Sequence, residues 1–463
     1  MSWGKLLRFA VWGAAAAIIA APIAYQQLFP VPTRYSEDVD HFKYASVGVE
    51  AASGVPYEIW RTLPGICMSP DDAKAGYRRF GFLFEPNRAT PIGMPVETAI
   101  VPRVGINCAL CHVGRVETAA GQSKLLIGAP NTSLDLQSYL QFMFGCVSDK
   151  RFTADAVLAE NDRLGGDLSA LQRLMYRYLI IPQVKGVVAE QQRQLSFMTD
   201  QTKWGPGRAA GFQPAKIQVL GQPFDGTLDV VDTPPLWAMA RRDGGGLHWD
   251  GVNTSLHEVV LSSGIGNGAS AHSINLPNLN RIETWVRTLP PAPYPFAINP
   301  ALATSGKAIF TANCAECHAV DGAKAGQVIP LRMIGTDRNR ADAFTPETAI
   351  GFKAMTLYPW RYTMFRETNG YVAASLDGLW ARAPYLHNGS VPTLAALLSP
   401  PAERPTRFAR GSPRYDPLQV GFASDQGAVF DTSLPGNSSA GHVWGTALSP
   451  ADRSALIEYL KTL

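Results

Sequence analysis

The pattern of apolar and polar positions divides the chain before any motif is considered. Residues 9–33 carry no charge, and their apolar part, residues 9–25, is rich in Ala and Ile. Lys5 and Arg8 precede it, and a basic flank before an apolar run is the mark of a signal peptide or signal anchor. The small-residue cleavage sites around Ala20-Ala21 and Ala24 are poor. We therefore read residues 1–30 as an uncleaved anchor holding the body on the periplasmic side of the inner membrane. The alternative is a cleaved leader and a periplasmic or secreted body.

Helical spacing recurs further on. The stretch Gly306-Lys307-Ala-Ile-Phe310 opens an amphipathic helix, and the chain ends in a helix capped by Ser449 with Pro450 at its first position. A third helical run, residues 276–289, leads into the proline-rich segment 290–295, a stiff linker. Within residues 154–202, an insertion, Leu164, Leu168, Leu171, Met175, Tyr178 and Leu179 recur at helical spacing. That stripe either faces the core or forms a helical lid over an apolar entrance. The expected architecture is mainly α: residues 40–292 and 298–463 as two tandem lobes with long loops, behind the membrane segment.

Composition sharpens this only in part. In 463 residues, 41 Lys and Arg against 38 Asp and Glu leave a net charge of +3, too little for a general grip on nucleic acid. Apolar residues make up 46%, so wholesale disorder is excluded, while 42 Gly and 35 Pro call for many turns.

The cysteines carry the chemistry. Four of the six fall in two identical spacings, Cys108-Ala-Leu-Cys111-His112 and Cys314-Ala-Glu-Cys317-His318. C-x-x-C-H is the attachment signature of c-type haem: two thiols one turn apart reach the two vinyl groups, and the adjacent histidine ligates the iron. Tetrahedral zinc would need further ligands at short spacing, and a thioredoxin-like pair would need a βαβ context; neither is present. Two covalent haem c groups are expected, with His112 and His318 as proximal ligands. Cys67 and Cys146 remain, as a disulfide or as two buried thiols.

The chain has eight histidines. His442, in the loop before the last helix, is the preferred distal ligand of the second haem; His387, Met355 and Met364 are the alternatives. For the first haem, no histidine lies between His112 and His248, which predicts a five-coordinate iron with an open face. Met143 and Met175 are the residues that could close it.

These residues resemble the bacterial di-haem cytochrome c peroxidase superfamily, which includes the di-haem rubber oxygenases. The paired C-x-x-C-H motifs, His248-Trp249-Asp250-Gly251, and residues 383–394 carry the resemblance. It implies that Trp249 relays electrons between the haems, against the plainer reading of a core tryptophan. It also brings Trp237 to the same region, and a calcium ion between the lobes near Arg382 and Pro384. The departures are informative. The glutamate that peroxidases place about twenty residues after the tryptophan, where it moves protons, is replaced by Ala269 in a glycine-rich loop; the arginine of their F-W-D-G-R is Val252. The segment Ala440-Gly441-His442 with Gly445-Thr446 is similar to the end of the rubber oxygenases.

Three functions follow, in order of preference. The first is an oxygenase binding dioxygen at the His112 haem and acting on an apolar substrate, with the second haem as relay. The second is a peroxidase reducing hydrogen peroxide with electrons from a small redox protein. The third is a non-enzymatic electron carrier.

Overall fold

The computed structural model describes residues 33–97, 101–119 and 122–463. Helix accounts for 42% of the structure and strand for 11%, which corrects the expectation of a mainly α chain. The strands run from two to seven residues and pair in six small sheets, the largest the three-stranded order Val55–Pro56, Arg103–Val104, Val96–Glu97. The abundant Gly and Pro keep loops extended where they cross, and crossings of extended backbone satisfy their N–H and C=O groups by short pairings. The other half of the correction concerns the membrane segment. Residues 1–30 lie outside the described residues, and among the described ones no helix is long and apolar enough to cross a membrane.

Among the described residues four apolar clusters form the core, the smallest around Met239, Leu247 and Leu256. One gathers Trp60, Tyr77, Phe80, Tyr139 and Phe144. A second joins Ala109 and Val113, beside the first C-x-x-C-H motif, to Phe212, Phe344, Phe352 and Phe365. A third holds Phe310, Trp380, Tyr415 and Leu456 beneath the second motif. The second cluster draws on residues on both sides of the proline-rich segment, so the core runs through it.

The helix Pro300–Asn313, capped by Asn299, crosses the C-terminal helix Pro450–Leu460, where the Ser449 hydroxyl accepts the Asp452 N–H. Gly306 makes the crossing possible: a Cβ there would sit 2.0 Å from the Ala455 carbonyl oxygen. The insertion is helical, with Ala154–Arg163, Ala170–Met175 and Ile181–Gln194, but its stripe is split: Leu168 and Met175 pack against the first cluster, while Leu164, Leu171, Tyr178 and Leu179 are exposed. Leu171 is 68% exposed and Leu179 64%, whereas Tyr176, Ile180 and Ile181 are buried. A π-helical turn at Tyr176–Ile180 is the reason, because its extra residue breaks the 3.6-residue spacing that the stripe assumed.

Candidate haem sites

Each motif sits on a single helical turn. Ala109–His112 is pinned by two buried asparagines. Asn107 donates to the carbonyls of Phe42 and Ala45 and accepts the Ala109 N–H, while the Asn131 N–H bonds the Cys111 carbonyl at 2.8 Å. In the second motif, Ala315–His318 follows directly on Pro300–Asn313, and the His318 N–H returns to the Cys314 carbonyl at 3.0 Å.

His318 places Nδ1 2.8 Å from the Ala374 carbonyl; with a proton there, Nδ1 donates and Nε2 is left as the electron-pair donor a metal requires. His112 Nδ1 is buried without a hydrogen-bond partner, and burial lowers the basicity of the ring to about 4, against the opposing effect of the nearby Pro234 carbonyl. Burial pushes the thiols the other way, Cys108 to about 11, Cys111 to about 12 and Cys314 to about 11. Such surroundings disfavour the thiolates that zinc or thiol redox chemistry needs, and suit sulfurs carrying a covalent substituent. All six motif residues keep some accessible surface although protein encloses them.

The residues expected as distal ligands separate in space. The ring of His442 faces that of His318 with centroids 6.2 Å apart and planes at 42°. A metal held ~2 Å from a nitrogen of each ring would put the centroids about 6 Å apart, so the pair fits a shared metal. The loop carrying His442 is pinned. Buried Arg404 donates to the carbonyls of Gly441 (2.9 Å) and His442 (3.1 Å), and Asn388 donates to those of Gly436 and Ser438. His442 itself takes φ 45°. His387 lies elsewhere, stacked on Tyr371 at 4.0 Å, and Met355 packs against the phenylalanine cluster. Met364 is 47% exposed.

No comparable ring opposes His112 among the described residues. His41 lies beside Arg281, His257 pairs with Glu283, His272 is exposed and His248 packs edge-on to Phe212. Met143 and Met175 belong to the Trp60 cluster. The position of the missing peroxidase glutamate, Ala269, is buried in the same apolar cluster as Val113 and Phe212. Two carboxylates follow Trp249 more closely: Asp250 pairs with Arg340 at 2.9 Å, and Glu258 accepts hydrogen bonds from Asn253 and from the Thr363 and Met364 N–H groups. Although burial pushes the pKa of Glu258 up, these bonds bring it below the usual range.

Trp237 is wedged between Gly128 and Gly378, where any Cβ would strike its indole, and it donates to the Ile127 carbonyl at 3.0 Å. Trp249 is half-buried and donates to the Asp232 carbonyl at 2.7 Å; its own carbonyl accepts the Val372 N–H at 2.8 Å. Trp249 thus ties strand Val230–Asp232 to strand Gly370–Val372.

The two segments repeat one course. Counting from the carbonyls of Pro234 and Ala374, Ala238 and Gly378 fall at the same step, with φ 57° and 64°. A bridge Leu247↔Asn253 then encloses Trp249, and a bridge Tyr385↔Val391 encloses His387. The exchange is reciprocal: Val372 N–H goes to Trp249 O, and Asp232 N–H to His387 O at 2.9 Å. Single-motif reading missed this repeat, although aligning residues 233–253 with 373–391 would have exposed it. The expected calcium gains no support from side chains: among the described residues no group of three or more His, Cys, Asp or Glu is placed to hold a metal ion.

The matches with known proteins follow the second motif. Residues 303–364 match the cytochrome c family, and residues 370–409 match the RoxA-like, cytochrome c-like family. These matches cover residues 303–409 around the second motif, and they support covalently bound haem c and a haem-based redox role there. Two proteins of Sinorhizobium fredii (strain NBRC 101917 / NGR234), both described as uncharacterised, are similar. The protein y4iM is 36% identical over 50% of this chain and 64% of its own length. The protein y4iJ is 27% identical over 84% of this chain and 81% of its own. The chain thus spans less than two thirds of the first of these relatives.

Proposed function

We propose that this chain is an exported di-haem oxygenase, with one haem on Cys108, Cys111 and His112 and another on Cys314, Cys317 and His318. The observation that carries this reading is the inequality of the two sites: His442 closes the second, while apolar and aromatic side chains surround the first. Haem iron with a free position would supply dioxygen binding at the first site. Around it, Phe212, Phe344, Phe352 and Phe365 exclude water and accept an apolar substrate. His318 and His442 would both hold the second haem, which would supply electron storage or relay, and Trp249 is the side chain that spans the junction between the halves. Trp237 acts as a positioning residue, holding the hairpin that follows His112. The Cys67–Cys146 bridge supports folding outside the cytoplasm.

A peroxidase fed by a small redox protein is the second reading, favoured by the resemblance to the di-haem peroxidases. The burial of Ala269 and the engagement of Glu258 speak against it, because neither leaves a free acid for O–O cleavage. The test is to reduce the purified protein without oxygen, then divide it between air and hydrogen peroxide. The oxygenase reading expects a dioxygen-dependent change at one haem and slow peroxide turnover. Rapid peroxide turnover with a reduced cytochrome would make it a peroxidase, and inertness to both would leave an electron carrier.

A further inference from the structure

Arg404 is buried, and every N–H of its guanidinium donates to a backbone carbonyl. Nε bonds Ser399 at 3.3 Å, Nη1 bonds Ser439 and Gly441, the latter at 2.9 Å, and Nη2 bonds Leu397 and His442, both at 3.1 Å. The Leu397 and Ser399 carbonyls lie at the end of the short helix Leu394–Leu397, whereas the other three belong to the loop before the last helix. Burial lowers the pKa of Arg404, and no carboxylate among the described residues pairs with it. Enclosing a cation without a counter-charge is costly. What this one secures is the backbone on either side of the His442 ring.

That backbone matters because the ring has no hydrogen bond of its own at Nδ1. His318 is oriented through its imidazole, by the contact of Nδ1 with the Ala374 carbonyl. His442 Nδ1 is buried without a partner, and Trp444, which meets the ring edge-on at 5.4 Å, belongs to the same loop. The aim of the His442 ring therefore depends on its main chain. The N–H side is held by the Ile334 carbonyl at 2.8 Å, and the carbonyl side by Arg404. Gly441 and His442 both take positive φ, 76° and 45°, and a Cβ on Gly441 would lie 2.4 Å from the Gly335 backbone. A histidine keeps such a conformation only where its surroundings impose it.

We propose that Arg404 is the positioning residue that makes His442 a ligand: by gripping the carbonyls of Ser439, Gly441 and His442, it aims the ring at the position facing His318. The proposal rests on the reading that His318 and His442 share the second haem. Lysine in its place keeps the charge, but a single ammonium with three donors cannot span five carbonyls. Without the grip, residue 442 relaxes toward negative φ and the ring leaves its place opposite His318.

The experiment compares the holoprotein with R404K, R404Q, H442A and R404K/H442A by low-temperature electron paramagnetic resonance, with covalent haem content measured on the same samples. R404K and R404Q are expected to keep their haem and to lower the low-spin to high-spin ratio at one haem about ten-fold, as release of a strained backbone of this kind allows. Because Arg404 acts through His442, the spectrum of R404K/H442A should coincide with that of H442A. A parental spectrum in R404K and R404Q beside an altered one in H442A would overturn the proposal and leave Arg404 a structural role. Failure of both Arg404 variants to mature would do the same, whereas a parental spectrum in H442A would overturn the shared ligation and the proposal with it.

Discussion

Glu50 shows how one residue can set the pH response of the fold. Its side chain is fully buried; Oε2 accepts the Ser46 hydroxyl at 2.5 Å and Oε1 has no partner. Burial pushes its pKa up from 4.5 to about 7, against the opposing hydrogen bond from Ser46. The folded chain therefore holds a proton that the unfolded chain releases at lower pH. This contribution to stability is complete below about pH 4.5 and is lost as pH rises through about 7, a change of about 3 kcal/mol. Chemical denaturation of E50Q from pH 4 to pH 8 is expected to show a flatter profile than the parent and greater stability above pH 7. An unchanged profile would mean that Glu50 is ionised in the fold. At the same scale, the two C-x-x-C-H motifs were legible in the sequence because five adjacent residues carry the whole signal. The partner of His318 was not: Ala374 acts through its backbone carbonyl, which leaves no side-chain trace.

At the scale of elements, the disulfide Cys67–Cys146 staples the end of helix Tyr57–Cys67 to helix Leu136–Ser148 across a sequence separation of 79. Closing so long a loop restricts the unfolded chain, so the C67A/C146A double variant should lose about 3–5 kcal/mol by denaturant titration. A loss under 1 kcal/mol would show that packing alone holds the two helices. Elements announced by local chemistry were readable from the sequence: the helix Leu276–Val286 by its spacing, and Pro450–Leu460 by its serine cap and proline. The short strands were not, because two extended residues such as Val96–Glu97 have no alternation to detect and exist only through their partner Arg103–Val104. The loop of His442 reads as flexible from Gly436 to Gly445, yet Arg404, far from it in sequence, fixes it by bonds to its carbonyls.

For the whole molecule, the repeat explains how two sites in one chain are held in register. The halves exchange equivalent hydrogen bonds at Trp249 and His387, and a buried ionic cluster sits beside this junction. Arg340 bridges Asp229 and Asp250, all nearly inaccessible, while Arg410 pairs with Asp232. Removing the shared cation leaves two buried carboxylates without a counter-charge, so R340Q should destabilise the fold by about 3–5 kcal/mol. A loss below 1 kcal/mol in calorimetry would show that water or protonation already neutralises them. The sequence showed the two motifs but not their coupling, since Asp229, Asp250 and Arg340 are ordinary surface residue types until the fold buries them together.

In the proposed di-haem reading the two haems differ in coordination: His318 and His442 would hold the second, and the side opposite His112 would stay open at the first. Low-temperature electron paramagnetic resonance of the oxidised protein measures this most directly. One low-spin and one high-spin ferric signal are expected in equal amounts, with H442A converting the low-spin signal to high-spin at unchanged covalent haem content. Two low-spin signals in the parent, or an H442A spectrum identical to it, would overturn this difference between the two sites.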